Sequence, residues 1–315
     1  MHYWDKTLRL IYSNLMEELT SEIGFPSSGS VVAVQPKGIT HFQHRISYEG
    51  ERLTLPIQAD FKDSSFKTRS MMCSMLMAAG CNAPDRASLK TIELLDALGV
   101  FSQQKCVLIG SHAFSAIGNA LGVTWGGHTI ETKDIDMGRM VRLSGQKPIK
   151  VVERLQKIGF RPIPQLNHKH VPTNFKHKNG MKIDFLTPMT GKPNTTPMLL
   201  HGTDIHAEPL RFLDYLIQEP QQAAVITRSG VLVYVPQPAR YALHKCMIYL
   251  HRRDLDKKEK DLLQAQSILT VLEESMPHLI TQAWADLPWK DKAMVGISEF
   301  KDAELVGRLK EILSA

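Results

Sequence analysis

The chain has 315 residues and a mass of 35.5 kDa, a length that suits two or three domains. Hydrophobic residues make up 43% of it and charged residues 22%, which is ordinary globular usage and excludes a wholly disordered chain. It has no run of about 18 apolar residues, which argues against a membrane-spanning helix. The first residues carry no secretory signal and the four cysteines show no paired spacing, so we expect a cytoplasmic protein with reduced thiols.

The net charge of +6 is unevenly distributed along the chain. Residues 1–100 carry a net charge of −1, residues 101–200 of +9 and residues 201–315 of −2. A local excess of basic residues is typical of proteins that bind phosphate-bearing partners. A solvated surface without a partner gives the same count, so charge alone leaves both interpretations open.

The first hundred residues combine helix and strand patterns. Apolar residues at helical spacing predict a helix over 4–23, which Gly24-Phe25-Pro26 ends. The Glu49-Gly50-Glu51 sequence predicts a hairpin turn between two strands. The further patterns predict strands at 30–34, 40–48 and 52–57 and helices at 64–80 and 84–98. We therefore predict an N-terminal α+β appendage over 1–100.

The rest of the chain divides into a mixed part and a mostly helical part. In residues 101–200 the patterns predict strands at 105–109, 132–140, 161–164, 173–177 and 181–186 and helices at 112–121 and 148–158. In residues 201–315 they predict helices at 208–218, 238–252, 256–274, 276–285 and 302–313 and one strand at 231–235. The fold class is therefore predicted as α+β, with a core at 101–200 and a C-terminal helical domain at 201–315.

Three motifs in the middle of the chain point to chemistry. Gly110-Ser111 follows a buried strand and begins a helix, where free backbone N–H groups and the helix dipole favour phosphate. Asp134 and Asp136 are two apart on one strand and Asp184 lies on another, so all three share one surface if those strands pair. Carboxylates that close together repel unless a cation joins them, and Mg²⁺ prefers such oxygen ligands.

These motifs, read as VLIGSHAF, TKDIDM and MKIDFLTP, resemble the active-site signature of the polymerase-beta-like nucleotidyltransferase superfamily. The resemblance covers residues 107–188 and looks closest to bacterial nucleotidyltransferase-fold proteins, which are similar in turn to nucleotidyltransferases of abortive-infection toxin–antitoxin systems. It implies a nucleotidyltransferase palm, a mixed sheet with flanking helices. His112, which follows the Gly-Ser pair, stands where other members vary widely.

The resemblance also implies a role for each motif residue. Gly110 and Ser111 would hold the β- and γ-phosphates of a nucleoside triphosphate. Asp134 and Asp136 would bind the Mg²⁺ or Mn²⁺ ion that bridges the triphosphate, and Asp184 would bind a second ion near the attacking hydroxyl. An acceptor hydroxyl would attack the α-phosphorus and release pyrophosphate, with the two metal ions stabilising the attacking and leaving oxygens.

A basic segment downstream offers further candidates. Lys245, Arg252 and Lys260 are seven and eight residues apart and share one helix side if the helix is unbroken. The resemblance implies that basic residues here reach the triphosphate or the base. A solvated helix face is the alternative, because acidic residues interleave with them. Lys245 is the strongest of the three, since its neighbours are apolar and an unpaired ammonium there would be penalised.

The acceptor and some competing functions stay open. Eleven Lys and Arg residues and a single acid, Glu153, lie between Met137 and Ile183, which favours a polyanionic acceptor such as tRNA, although a protein side chain or a small molecule also offers a hydroxyl. A non-catalytic nucleotide-binding regulatory partner and, less well supported, a glycosyltransferase with an Asp-x-Asp motif are the alternatives. The histidine pairs 41/44, 168/170 and 201/206 lack zinc-type spacing and are expected on the surface or in loops.

Overall fold

The computed structural model describes residues 1–21, 28–34, 41–57, 63–126, 132–140, 148–165, 167–189 and 191–314. Within these ranges the chain is α+β, as the sequence predicts. It contains one mixed sheet of nine strands, a three-stranded antiparallel sheet and a two-stranded pairing, with helices packed around them. None of the helices in these ranges combines the length and apolar character that a membrane span requires.

Fourteen strands and eleven α-helices make up the described part of the chain. The strands are β1 (His2–Tyr3), β2 (Ser30–Val34), β3 (His41–Tyr48), β4 (Glu51–Ile57), β5 (Val107–Ile109), β6 (Val123–Thr124), β7 (Asp134–Gly138), β8 (Arg161–Pro162), β9 (Asn174–Lys176), β10 (Lys182–Pro188), β11 (Met198–Leu199), β12 (His206–Leu210), β13 (Gln221–Val225) and β14 (Val231–Val235). The helices are α1 (Lys6–Ser21), α2 (Asp63–Ala78), α3 (Arg86–Ala97), α4 (Gly110–Leu121), α5 (Val151–Lys157), α6 (Leu213–Ile217), α7 (Pro238–Ile248), α8 (Leu255–Ser275), α9 (Pro277–Ala285), α10 (Lys290–Ser298) and α11 (Ala303–Ser314). A 3₁₀ turn, Tyr249–His251, follows α7.

The large sheet places the three sequence motifs side by side. Its strand order is β11-β12-β10-β7-β5-β14-β13, and β9 pairs with β10, with β8 beside it. Strand β10 runs parallel to β7, and β7 runs antiparallel to β5. The Gly-Ser pair follows β5, the Asp134–Asp136 motif lies on β7 and Asp184 lies on β10. The pairing on which the convergence of the three carboxylates depends is therefore present.

The N-terminal part contains the predicted hairpin. Strands β3 and β4 pair in antiparallel fashion across Glu49-Gly50, and both turn residues have positive φ, 47° and 93°, the backbone that a tight two-residue hairpin turn uses. Helix α1 packs on α2 and against β13 and β14. Its buried residues form a second apolar cluster with α2 and the β13 end of the large sheet. The N-terminal part thus packs directly on the sheet that carries the motifs.

The sheet extends beyond residue 200 in the chain. Strands β12, β13 and β14 come from the part that the sequence predicts to be mostly helical. One apolar core also continues from Ile46 in β3 to Leu309 in α11. The division into 1–100, 101–200 and 201–315 therefore stays a prediction, and the central sheet crosses the boundary placed at residue 200.

Two predicted helices in this part differ from the structure. The helix predicted over 208–218 is wrong, because residues 206–210 form β12 and only Leu213–Ile217 are helical. Side chains of β12 alternate between half-buried or exposed and buried positions, as a strand requires, and Pro209 disfavours a helix interior. The helix predicted over 238–252 ends at Ile248 and continues as the 3₁₀ turn. Strand β13 and helix α10 were not predicted.

Candidate active site

A cavity of about 800 Å³ opens where β7, β10 and the start of α4 face α7 and α8. Its size is within the range of ligand sites in proteins. All eight site residues predicted from the sequence line it, namely Gly110, Ser111, Asp134, Asp136, Asp184, Lys245, Arg252 and Lys260. The fold thus brings together residues that are up to 150 positions apart in the chain, while their individual roles stay predictions.

The Gly-Ser pair forms a tight junction between strand β5 and helix α4. Gly110 has a φ of +68°, and a Cβ placed on it would lie 2.6 Å from the Asp136 Oδ2 atom. The Tyr241 hydroxyl of α7 donates a hydrogen bond of 2.8 Å to the Gly110 carbonyl. Backbone strain and lack of space therefore both favour glycine here. Ser111 follows in the first turn of α4, where backbone N–H groups have no partner within the helix.

The carboxylates lie on the neighbouring strands β7 and β10. Asp136 and Asp184 are direct partners in the parallel pairing, and Asp134 is opposite Lys182. Burial raises the pKa of Asp136 to about 7, and the negative charges of Asp184 and Asp134 add to this effect. A raised pKa is the expected result of placing carboxyl groups this close together. The negative charges of the three carboxylates would therefore stabilise a bound cation.

Lys182 supplies a positive charge from within the site. Its ammonium donates a hydrogen bond of 2.7 Å to Asp184 Oδ2, and the Asn174 amide donates one of 2.7 Å to Asp184 Oδ1. Burial disfavours the Lys182 charge, but the hydrogen bond and charge of Asp184, with Asp134 and Asp136, raise its pKa on balance. Asp184 is thus held by two partners, and Lys182 offsets part of the negative charge.

The carboxylates suit a divalent metal ion in their chemistry. Within the residues that the structure describes, no three His, Cys, Asp or Glu side chains are already arranged as a metal centre. The oxygen donors and the raised pKa of Asp136 nevertheless fit a hard cation. The Lys182 ammonium already binds Asp184, which shows that a positive charge is stabilised among these carboxylates. Asp134, Asp136 and Asp184 are therefore the residues that would hold such an ion.

On the opposite wall, Asp261 of α8 joins two of the predicted basic residues. The Lys245 ammonium donates to Asp261 Oδ1, and the Arg252 Nε donates to Oδ2 at 2.7 Å. Burial favours a higher pKa of Asp261, but the charges and hydrogen bonds of these two residues hold it below its usual range. Lys245 is 7% exposed and Asp261 4% exposed. A solvated helix face is therefore wrong for Lys245, which is buried and paired.

The cations of the cavity come mostly from a different part of the chain than the charge count suggests. They are Lys182, Arg211, Lys245, Arg252, Lys257, Lys260 and Lys292. Among the described residues, Lys182 alone represents the basic middle third at this cavity. Arg139, also from that third, is 1% exposed and donates to the His201 carbonyl at 3.2 Å. The basic residues of 101–200 that the structure describes therefore lie largely outside the cavity.

A comparison with protein-family models identifies the chain. A model described as nucleotidyltransferase matches residues 86–290, more than half of the sequence. The chain belongs to this nucleotidyltransferase family. The matched region includes all eight predicted site residues, and membership supports a transferase that uses a nucleotide. Comparisons with curated proteins and with solved structures returned no match.

Several side chains of this candidate site were not predicted from the sequence. Lys182 is two positions before Asp184, so strand alternation alone places it on the same face. Asn174 and Tyr241 reach the site only through the pairing of β9 with β10 and the packing of α7. No local sequence signal shows those contacts, because they join residues that are distant in the chain.

The histidines of this nucleotidyltransferase follow the prediction only in part. His44 is buried in β3, with a ring nitrogen at the Ser28 carbonyl, so its predicted place on the surface or in a loop is wrong. His112 is buried in α4 and does not line the cavity. Burial lowers the pKa of His112 to about 4, and neither of its ring nitrogens has a hydrogen-bond partner among the described residues.

Proposed function

We propose that this protein transfers a nucleoside monophosphate from a nucleoside triphosphate to an acceptor hydroxyl and releases pyrophosphate, with Mg²⁺ or Mn²⁺ as cofactor. The observation that carries the proposal is the junction of Gly110 with Asp136. A glycine that leaves no room for a Cβ lies against a carboxylate of raised pKa, at the head of a helix. A phosphate site and a cation site therefore share one point of the cavity.

The proposed roles follow from these positions. Gly110 and Ser111 bind the β- and γ-phosphates with backbone N–H groups of the first turn of α4. Asp134, Asp136 and Asp184 would hold the metal ions. Lys260 reaches phosphate oxygens from the opposite wall. Lys245 and Arg252, for which the sequence predicts the same role, both bind Asp261, so in this proposal the three residues fix α7 against α8 and the cavity keeps its width.

The reaction forms one bond and breaks another. The acceptor oxygen bonds to the α-phosphorus, the bond from the α-phosphorus to the bridging oxygen breaks, and pyrophosphate leaves with the electron pair. The acceptor proton passes to a carboxylate oxygen of Asp136 or Asp184. Bound divalent ions would supply charge stabilisation for the attacking and leaving oxygens. Positioning and charge neutralisation then account for most of the rate enhancement.

The acceptor is proposed to be RNA, such as tRNA, or a protein. Among the described residues, the cavity wall carries seven Lys and Arg residues against four carboxylates, so it would suit a polyanion even with metal bound to the carboxylates. A cytoplasmic location and a role in a toxin–antitoxin or defence system belong to the same proposal. The location rests on the unpaired spacing of the four cysteines, and the role rests on the sequence resemblance.

A non-catalytic nucleotide-binding partner is the second candidate. The ion pair between Lys182 and Asp184 favours it, because this pair occupies a carboxylate that catalysis requires. A glycosyltransferase is less well supported, since membership of the nucleotidyltransferase family accounts for the Asp-x-Asp motif without a sugar substrate.

Transfer of label in a cell extract tests the proposal. The purified protein is incubated with Mg²⁺ or Mn²⁺, extract and each α-labelled nucleoside triphosphate in turn. We expect label in a macromolecule, and digestion with nuclease or protease identifies it as RNA or protein. A variant with Asp134→Asn and Asp136→Asn is the matched control. Equally low transfer by this variant and the wild type would contradict the proposal and favour the regulatory partner.

A further inference from the structure

The cavity has a second end, which is aromatic. Phe212 and Trp289 meet edge to face with ring centroids 3.9 Å apart, and His251 stacks near Phe212 at 6.4 Å. Ile248 lines the same end of the cavity. We propose that this end is a slot for the nucleobase of the triphosphate, an inference that rests on the proposed function. Aromatic side chains bind any of the nucleobases by stacking.

Helix α7 connects the slot with the glycine junction. Tyr241 holds the Gly110 carbonyl, Lys245 is paired one turn later, and Ile248 and His251 line the aromatic end. Tyr241, Lys245 and Ile248 follow one another at the four- and three-residue spacing of one face of α7, and His251 comes in the 3₁₀ turn that continues it. From Tyr241 to Ile248 the helix advances roughly 10 Å, which is the reach of a nucleoside that extends from a phosphate at the junction. One helix therefore lines both ends of a single nucleotide site.

His244 provides a polar contact within the same wall. It lines the cavity, is 6% exposed, and its Nε2 atom has no hydrogen-bond partner among the described residues. Burial lowers its pKa to about 3, and the neighbouring Lys245 charge adds to this, so the ring is neutral at working pH. A buried polar atom without a partner is costly. The Nε2 atom is itself enclosed by protein, so a nucleobase supplies the missing partner only if the ring turns toward the cavity.

The backbone at Phe212 supports a binding role for this wall. Phe212 has a φ of +68°, a left-handed conformation that is uncommon and costly for a bulky residue. Strained residues of this kind concentrate at ligand sites, where the surrounding structure holds them in place. Here Trp289, at the start of α10, packs against the Phe212 ring and fixes its position.

A basic rim closes the slot. The Lys292 ammonium lies 4.5 Å from the Trp289 ring centroid and donates to His251 Nε2 at 3.2 Å. A cation next to an aromatic wall gives ribose and phosphate oxygens a partner at the mouth of the slot. The slot thus has stacking surfaces, one buried polar atom and a charged edge.

Comparison of two ligands separates the slot from the phosphate site. Isothermal titration with Mg²⁺ measures the binding of a nucleoside triphosphate and of inorganic tripolyphosphate to the wild type and to Trp289→Leu. Trp284→Leu is the matched control, because Trp284 also lies near a lysine, with Lys290 at 5.8 Å, but does not line the cavity. His251→Ala, at an exposed position, is a second variant in case Trp289→Leu fails to fold.

We expect Trp289→Leu to weaken nucleoside triphosphate binding about 5- to 150-fold, the range of base–aromatic stacking, and to leave tripolyphosphate binding within twofold. His251→Ala weakens it in the same selective way, and Trp284→Leu changes neither ligand. If Trp289→Leu weakened the binding of both ligands equally, or of neither, the proposed slot would be wrong. Unchanged triphosphate binding with loss of transfer would assign this wall to the acceptor instead.

Failure of the proposed function gives a different pattern. If the wild type binds tripolyphosphate and the nucleoside triphosphate equally well, the slot is wrong while the phosphate site stands. If it binds neither ligand, both the slot and the proposed function are wrong.

Discussion

At the scale of single residues, Gly110 leaves no room for a larger side chain. We expect Gly110→Ala to lower the free energy of unfolding by about 1–3 kcal/mol and to abolish triphosphate binding, because the added Cβ would meet Asp136 Oδ2 at 2.6 Å. Urea denaturation and calorimetry measure the two effects. Gly307→Ala is the control, since a Cβ there meets nothing within 4 Å and alanine suits the interior of α11. If Gly110→Ala bound the triphosphate as tightly as the wild type, the assignment of the Gly110–Ser111 junction as the phosphate site would be wrong.

The raised pKa of Asp136 predicts how stability depends on pH. The folded protein holds the Asp136 proton up to a pKa of about 7, whereas the ordinary value is 3.8. Between these values the folded state binds more protons than the unfolded chain, so the metal-free protein becomes less stable as pH rises from about 4 to about 7.

Replacing Asp136 by asparagine removes this dependence. In chelator, the stability of Asp136→Asn relative to wild type should be greater at pH 8 than at pH 5 by at least about 1 kcal/mol, since each tenfold change in acid dissociation is worth ~1.4 kcal/mol. Thermal or urea unfolding at the two pH values measures it. If the stability of Asp136→Asn relative to wild type were the same at both pH values, the raised pKa of Asp136 would be contradicted.

Between elements, Asp261 joins α7 to α8. Lys245 and Asp261 are both buried, and removing one partner of a buried ion pair costs about 3–5 kcal/mol. We expect Asp261→Ala to lose that much unfolding free energy in urea, and Lys245→Met with Asp261→Leu to regain most of it. Lys157→Ala, which breaks an exposed pair with Glu153, should cost less than about 1 kcal/mol. A similar small cost for Asp261→Ala would contradict a structural role for this contact.

Prediction from the sequence succeeds where the signal is local. Strand alternation places Asp134 and Asp136 on one face, and glycine after a buried strand marks the junction at residue 110. Strand β13 and helix α10 have weaker patterns, and the clustering of Trp289 with Phe212 depends on packing between distant segments. The pairing of β10 with β7 and the contact of Lys245 and Arg252 with Asp261 are also long-range, so one sequence offers candidates for them without their geometry.

Over the whole molecule, the segment with the largest positive charge in the sequence is not the one that supplies most of the cations around the cavity. The basic surplus of residues 101–200 predicts that charge reversals between Arg139 and Lys182 impair binding most. In the part of the chain that the structure describes, seven Lys and Arg residues line the cavity, and six of them come from residues 201–315. We therefore expect Lys257→Glu to weaken triphosphate binding about tenfold at low salt, and Lys157→Glu, at an exposed position of α5 that does not line the cavity, to change it less than twofold.

Titrations at two salt concentrations measure this difference. The loss in Lys257→Glu should shrink as salt rises, because salt screens exposed charges. A larger effect of Lys157→Glu than of Lys257→Glu would support the original interpretation, in which the basic middle third binds the triphosphate or the acceptor.

The fate of the α- and γ-phosphorus atoms tests the central claim most directly. The protein is incubated with extract, divalent metal and one nucleoside triphosphate, labelled either at the α- or at the γ-phosphorus. We predict that α-label enters the acceptor, that γ-label leaves in pyrophosphate, and that Asp184→Asn lowers both at least about 100-fold. Label from the γ-position in the acceptor, or equal transfer by Asp184→Asn and the wild type, would contradict nucleotidyl transfer at this site.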